Sequence, residues 1–117
     1  MKKILVIEDT EEIREEIASI LEMEAYEVFQ APNGLLGLQV LAEREVDLVM
    51  TDVLMPEMNG FQFLEKMKEN KNPTPVIVLS AKAEKTDIEK GFGLGARDYL
   101  VKPCSPEDMI SCIENII

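Results

Sequence analysis

Five polar residues hold the chemistry open to this chain, and they fall where apolar runs end. Glu8 and Asp9 follow Ile4-Leu5-Val6-Ile7, Asp52 follows Leu48-Val49-Met50-Thr51, Ser80 follows Val76-Ile77-Val78-Leu79, and Lys102 follows Tyr99-Leu100-Val101. Short apolar runs bounded by breakers read as buried strands. A carboxylate at such an end is desolvated enough to react and open enough to meet a ligand. Acids gathered at one place repel: a pair about 4 Å apart costs roughly 4 kcal/mol at an effective dielectric of about 20. A hard divalent cation relieves that repulsion, and Mg²⁺ suits one or two carboxylates, a backbone carbonyl, waters and a phosphoryl oxygen. Lys102 adds a positive charge on the far side of Asp52. Aspartate is a nucleophile in aspartyl-phosphate chemistry and needs no base once ionised. The cation and the lysine would neutralise charge on the equatorial phosphoryl oxygens, and the Ser80 hydroxyl would donate to one of them.

These residues must be brought together by the elements around them. The solid apolar runs at 4–7 and 76–79 predict strands covered on both faces. Tyr26-Glu27-Val28-Phe29 is half-polar and predicts a sheet edge. Asp47 to Thr51 feeds Asp52, and Tyr99 to Val101 forms the last strand. Between them lie helices. Thr10 caps the first, with Ile13, Ile17, Ile20 and Leu21 inward and Glu11, Glu12, Glu15 and Glu16 outside. Asn33-Gly34 opens the second, with Leu35, Leu38 and Leu41 as core contacts. Gly37 inside it costs about 1 kcal/mol against Ala, for no reason visible in the sequence. Gly60 opens the third, with Phe61, Leu64 and Met67 on one face. The fourth runs from Thr86 to Leu94 and loosens at Gly91, Gly93 and Gly95. Ser105-Pro106 starts the last, with Met109, Ile110, Ile113 and Ile117 inward. Strands alternating with helices predict an α/β fold, a doubly wound five-stranded parallel sheet with helices on both faces. Right-handed crossovers and the polar second strand favour the order 2-1-3-4-5, flavodoxin-like. The polar ends then share one rim, at the switch between the first and third strands where such sheets bind ligands.

Composition narrows the classes. A chain of 117 residues is one domain with one core. Its net charge of −11 repels phosphate backbones and anionic lipid, so neither nucleic acid nor membrane is expected as a direct partner. No histidine is present, which removes His-based triads and His metal ligands; any phosphohistidine must lie on another protein. Cys104 and Cys112 read as reduced cytosolic thiols. The glycine cluster at 91–95 follows a helix and lacks dinucleotide-fingerprint spacing. Each polar residue has a plain reading taken singly: a solvated strand end, an Asx turn at Asp52, a surface lysine, a helix cap at Ser80. All of them together require coincidence.

The same residues carry a resemblance. Ile4 to Asp9, Asp52 with Met55-Pro56 and Asn59-Gly60, Ser80-Ala81, and Gly95 to Pro103 appear in the order and at the distances of a receiver domain of two-component response regulators. The resemblance spans nearly the whole chain. It implies that Asp52 accepts phosphate from a sensor histidine kinase or phosphotransfer protein, with Mg²⁺ (or Mn²⁺ in its place) held by Asp9 directly, Glu8 mainly through water, Asp52, and the Leu54 backbone carbonyl. Ser80 and Lys102 would hold the phosphoryl group, Tyr99 would turn inward as Ser80 moves, and the Lys102-Pro103 bond would be cis. Residues 1–117 would form a single receiver domain with no output domain, cytoplasmic, acting on a downstream protein or a missing output domain, with phosphorylation-dependent homodimerisation. Glu8 and Ser80 replace the commoner Asp and Thr, and Cys104 replaces a usual phenylalanine. Leu54 and Lys82 fall at positions that tune loss of the phosphate. The chain would be no enzyme beyond its own phosphorylation and dephosphorylation. The alternative, a metal-dependent aspartyl-phosphate phosphatase, needs a second acid two residues past the nucleophile, where Leu54 stands. A flavin or nucleotide binder on the same fold leaves the acids and lysine unexplained.

Overall fold

The computed structural model describes all residues from Met1 to Ile117. Strands and helices alternate throughout: β1 (Lys3–Ile7), α1 (Glu11–Met23), β2 (Glu27–Ala31), α2 (Gly34–Glu43), β3 (Leu48–Thr51), α3 (Gly60–Glu69), β4 (Val76–Ser80), α4 (Lys85–Gly93), β5 (Asp98–Val101) and α5 (Pro106–Ile116). The strands form one parallel sheet in the expected order, β2-β1-β3-β4-β5. The three central strands are apolar because both their faces are covered. One face packs Leu5, Ile7, Val49, Val76 and Val78 against Phe61, Phe63, Leu64 and Met67 of α3. The other packs Ile4, Val6, Met50, Ile77 and Leu79 against Ile17 and Leu21 of α1 and Met109 and Ile113 of α5.

Several local expectations change. Thr10 stands at the start of α1 but its side chain makes no capping bond. Its amide donates to Glu8 Oε2 at 3.1 Å, so Glu8 closes the turn that leads into the helix without capping it. Ile13 and Leu35 face solvent. Cys112, which the helical pattern passed over, is buried between Met109 and Ile113. Asn33, Asn59 and Ser105 do cap their helices through their side chains, and Asn59 with Gln62 forms a reciprocal capping box.

The glycines inside the helices are explained by what lies across from them. A Cβ on Gly37 would come 2.5 Å from Ile7 Cδ1, so α2 lies directly on β1 there. A Cβ on Gly91 would meet the Tyr99 ring at 2.8 Å. Gly91 is therefore a point of close approach, a different role from the loosening its spacing suggested. Gly95, at φ +104°, adopts a backbone conformation that favours glycine and ends the α4 turn.

Candidate functional site: an acidic rim with one lysine

The polar strand ends meet as the parallel order requires. Backbone pairing continues just past the strands: the Glu8 amide donates to Ala31 O at 3.1 Å, the Asp52 amide to Ile7 O at 3.1 Å, and the Lys102 amide to Ser80 O at 2.9 Å. These bonds fix where the side chains begin. Arg14 of α1 secures the first strand end further, its Nη1 donating to Glu8 O at 2.9 Å. Sequence reading missed Arg14; its place one turn into an otherwise acidic helix was the available signal.

The loop after β3 shapes the Asp52 side chain. The Val53 amide donates to Oδ1, and the Leu54 amide reaches the same oxygen at 3.4 Å. Gly60 lets α3 begin beneath this loop: its amide donates to Val53 O at 2.9 Å, and a Cβ there would lie 2.3 Å from Asp52 O. Only a residue without a side chain permits that approach.

Lys102 organises the charges. Its Nζ lies 2.9 Å from Glu8 Oε1 and 3.0 Å from Asp52 Oδ2. The ammonium thus sits between two acids and not, as expected, beyond Asp52. Burial raises the Asp52 carboxyl, but the hydrogen bond and charge of Lys102 outweigh it, helped by the Ser80 hydroxyl and the Val53 amide, so the group is held below its ordinary range. Glu8 goes the other way. Burial and the neighbouring Asp9 push it up more than Lys102 and the Thr10 amide pull it down. Lys102 itself, though burial disfavours its charge, is raised by the two carboxylates.

Asp9 is exposed at the lip of the rim. No three acidic side chains converge at metal-ligating spacing; the Lys102 ammonium lies between Glu8 and Asp52. The donor set still fits a hard cation. It consists only of oxygen ligands, the carboxylates of Glu8, Asp9 and Asp52 at neighbouring strand ends with the Leu54 carbonyl on the loop that follows. Leu54 lies on the loop after Asp52 with its side chain largely exposed.

Ser80 is fully buried at the end of β4, and its Oγ accepts from the Lys82 amide at 3.2 Å. Tyr99 already points inward, 8% exposed, its hydroxyl donating to Lys82 O at 2.7 Å. The Lys102-Pro103 bond is cis. The pattern of apolar runs places Glu8, Asp9, Asp52, Ser80 and Lys102 at one end of the sheet, and that is where they stand; Tyr99 lies earlier in its strand, paired with Val78.

A five-stranded parallel α/β domain with acids and a lysine at its switch point belongs to the doubly wound class whose ligands bind outside the carboxyl ends of the strands. Comparison with known proteins agrees. Residues 4–114 match the family described as the response regulator receiver domain. The chain belongs to that family. It is 36% identical over 115 residues to the transcriptional regulatory protein SrrA of Staphylococcus aureus, covering 98% of this chain and 47% of that protein. The chain therefore spans about half the length of the curated relatives it matches. Chemotaxis protein CheY4 of Vibrio cholerae superposes with a TM-score of 0.92 at 29% identity, covering 100% of this chain and 99% of that one. Response regulator TrrA of Thermotoga maritima, solved in complex with Mg²⁺–BeF, gives 0.90 at 27% identity, with both chains fully covered. No helix is long and apolar enough to cross a membrane.

Proposed function

We propose that Asp52 is the phosphoacceptor of this receiver domain, and that residues 1–117 act as one such unit. The carrying observation is the 3.0 Å contact between Lys102 Nζ and Asp52 Oδ2, which keeps the carboxylate ionised at the open end of a buried strand. The ionised oxygen attacks phosphorus, the bond from phosphorus to the donor nitrogen breaks, and the departing imidazole keeps the electron pair and takes a proton. Lys102 stays beside the new phosphoryl group and offsets its charge, and the Ser80 hydroxyl turns to donate to one of its oxygens. Asp9, Glu8, Asp52 and the Leu54 carbonyl would hold Mg²⁺ or Mn²⁺, which when bound neutralises phosphoryl oxygens.

The donor in this reading is a histidine kinase or phosphotransfer protein, the partner class that membership of the receiver family supports. The added charge of about −1.5 to −2 draws on Ser80 and Lys102 and shifts the α4–β5–α5 side toward a form that a downstream protein, a joined output domain or a second copy recognises. The site sits in the cytoplasm with the kinase's donor histidine. The phosphatase reading has no added support, since Leu54 occupies the place of its second acid.

The test is incubation with acetyl phosphate and Mg²⁺ followed by intact mass. A gain of one phosphoryl group, removed by hydroxylamine and absent in Asp52→Asn and with EDTA, is expected. An equal gain on Asp52→Asn overturns the assignment.

A further inference from the structure

We infer that Gly91 of α4 sets the position of Tyr99, and through it the β4–α4 loop that carries Ser80. Glycine inside a helix costs about 1 kcal/mol against alanine, so its presence in α4 calls for a local cause. The cause is on its inner face. A Cβ at position 91 would lie 2.8 Å from Tyr99 Cδ2 and 3.0 Å from Cε2, with Phe61 Cε1 at 3.9 Å. Carbon atoms do not approach that closely, and Phe61 also borders the new methyl, so a side chain at 91 has to displace the ring from its inward place. Gly93, two residues on, has nothing within 4 Å and is under no such constraint.

The ring's place matters because of what its hydroxyl holds. Tyr99 Oη donates to Lys82 O at 2.7 Å, and the Lys82 amide donates to Ser80 Oγ at 3.2 Å. Gly91, Tyr99, Lys82 and Ser80 thus form a continuous chain of contacts from the α4 backbone to the rim. Displacing the ring frees the Lys82 carbonyl and loosens the segment that orients the Ser80 hydroxyl. Gly91 is a positioning residue in this scheme: it touches no substrate and acts only through Tyr99. Its effect on the phosphoryl group rests on the function proposed above; its effect on the ring does not.

The protein has two tyrosines and no tryptophan, so Tyr26→Phe leaves Tyr99 as the only tyrosine fluorophore. In that background, acrylamide quenching of Tyr99 should rise in Gly91→Ala, overpacking shifting the ring from inward to outward by roughly tenfold in population. Gly93→Ala should leave quenching unchanged. The lifetime of the phosphorylated state should change in Gly91→Ala, and Tyr99→Leu should abolish the difference between Gly and Ala at 91, as a double-mutant cycle requires. Unchanged quenching in Gly91→Ala overturns the inference, whether or not Asp52 is phosphorylated. Should Gly91→Ala fail to fold, recovery of folding in the pair with Tyr99→Leu supports it, and failure of that pair overturns it.

Discussion

Lys102 Nζ lies 2.9 Å from Glu8 Oε1, and Glu8 is 3% exposed. The same ammonium serves Asp52, so one cation balances two acids on neighbouring strands. Removing it leaves both carboxylates facing each other in a partly dry site. Breaking a buried pair costs about 3–5 kcal/mol. Lys102 is 25% exposed, and solvent screening lowers the expected cost of Lys102→Ala to about 2 kcal/mol. The loss should be largest at neutral pH and shrink in mild acid, where Glu8 takes up a proton. Mg²⁺ should restore part of it, and less in a background carrying Asp9→Asn. Urea unfolding with Mg²⁺ or EDTA at both pH values measures this; a loss independent of both pH and metal would show that the lysine acts through packing alone.

Asp52 and Glu8 should pull stability in opposite directions as pH changes. Asp52 has its folded pKa lowered, burial being outweighed by Lys102. Its contribution is present above the unfolded value and is lost as pH falls through the lower folded one. Glu8 has its folded pKa raised, mainly by burial. It favours folding while protonated, and that advantage goes as pH rises from the unfolded value through the raised one. So, without metal, Glu8→Gln should stabilise at neutral pH, where the carboxylate is ionised against its raised folded pKa, and do nothing in acid. Asp52→Asn should destabilise at neutral pH, with the deficit closing as pH drops. Denaturant midpoints across the acid range decide it, and a matching pH profile for the two variants would refute the assignment of opposite shifts.

Gly37 is the second place where helix propensity and packing disagree. Propensity favours Gly37→Ala by about 1 kcal/mol. The new methyl would stand 2.5 Å from Ile7 Cδ1, and Ile7 is buried within the sheet. Overpacking typically costs about 1–3 kcal/mol, so Gly37→Ala should destabilise. Shortening the partner with Ile7→Val removes the clashing Cδ1 and should reduce the penalty. A Gly37→Ala variant that melts above the wild type would mean that α2 lifts off β1 at no cost.

Much of this was legible beforehand. The element order, the β2 edge and the meeting of Glu8, Asp52, Ser80 and Lys102 follow from apolar runs and from parallel strands sharing a direction. Most of what was not legible depends on contacts between different elements. Gly37 and Gly91 are decided by Ile7 and Tyr99, which no helical pattern reveals. The place of Lys102 between two acids depends on side-chain reach across β1, β3 and β5. Thr10 stands at the N-cap position, yet its hydroxyl accepts no first-turn amide. Ile13 and Leu35 fit the helical spacing yet lie at the margin of the buried faces, where spacing alone cannot separate rim from core.

Cys112 should be the less reactive thiol by a wide margin. Burial, the hydrogen bond to Asp98 and that acid's charge push it up to about 12. Its Sγ donates to Asp98 Oδ2 at 3.1 Å, and Asp98 Oδ1 accepts the Tyr99 amide at 2.8 Å. Near pH 8 roughly one molecule in ten thousand would carry the thiolate, the form that reacts. Cys104 is also raised, by burial and Asp108, but it is only partly covered. Iodoacetamide should therefore label Cys104 first in the folded protein, with Cys112 labelled only as α5 opens. Adding sub-denaturing urea should accelerate Cys112 labelling far more than that of Cys104, as local opening exposes it. Peptide mass mapping over time distinguishes the sites. Equal rates in the native state would mean that the α5–β5 contact through Asp98 does not persist in solution.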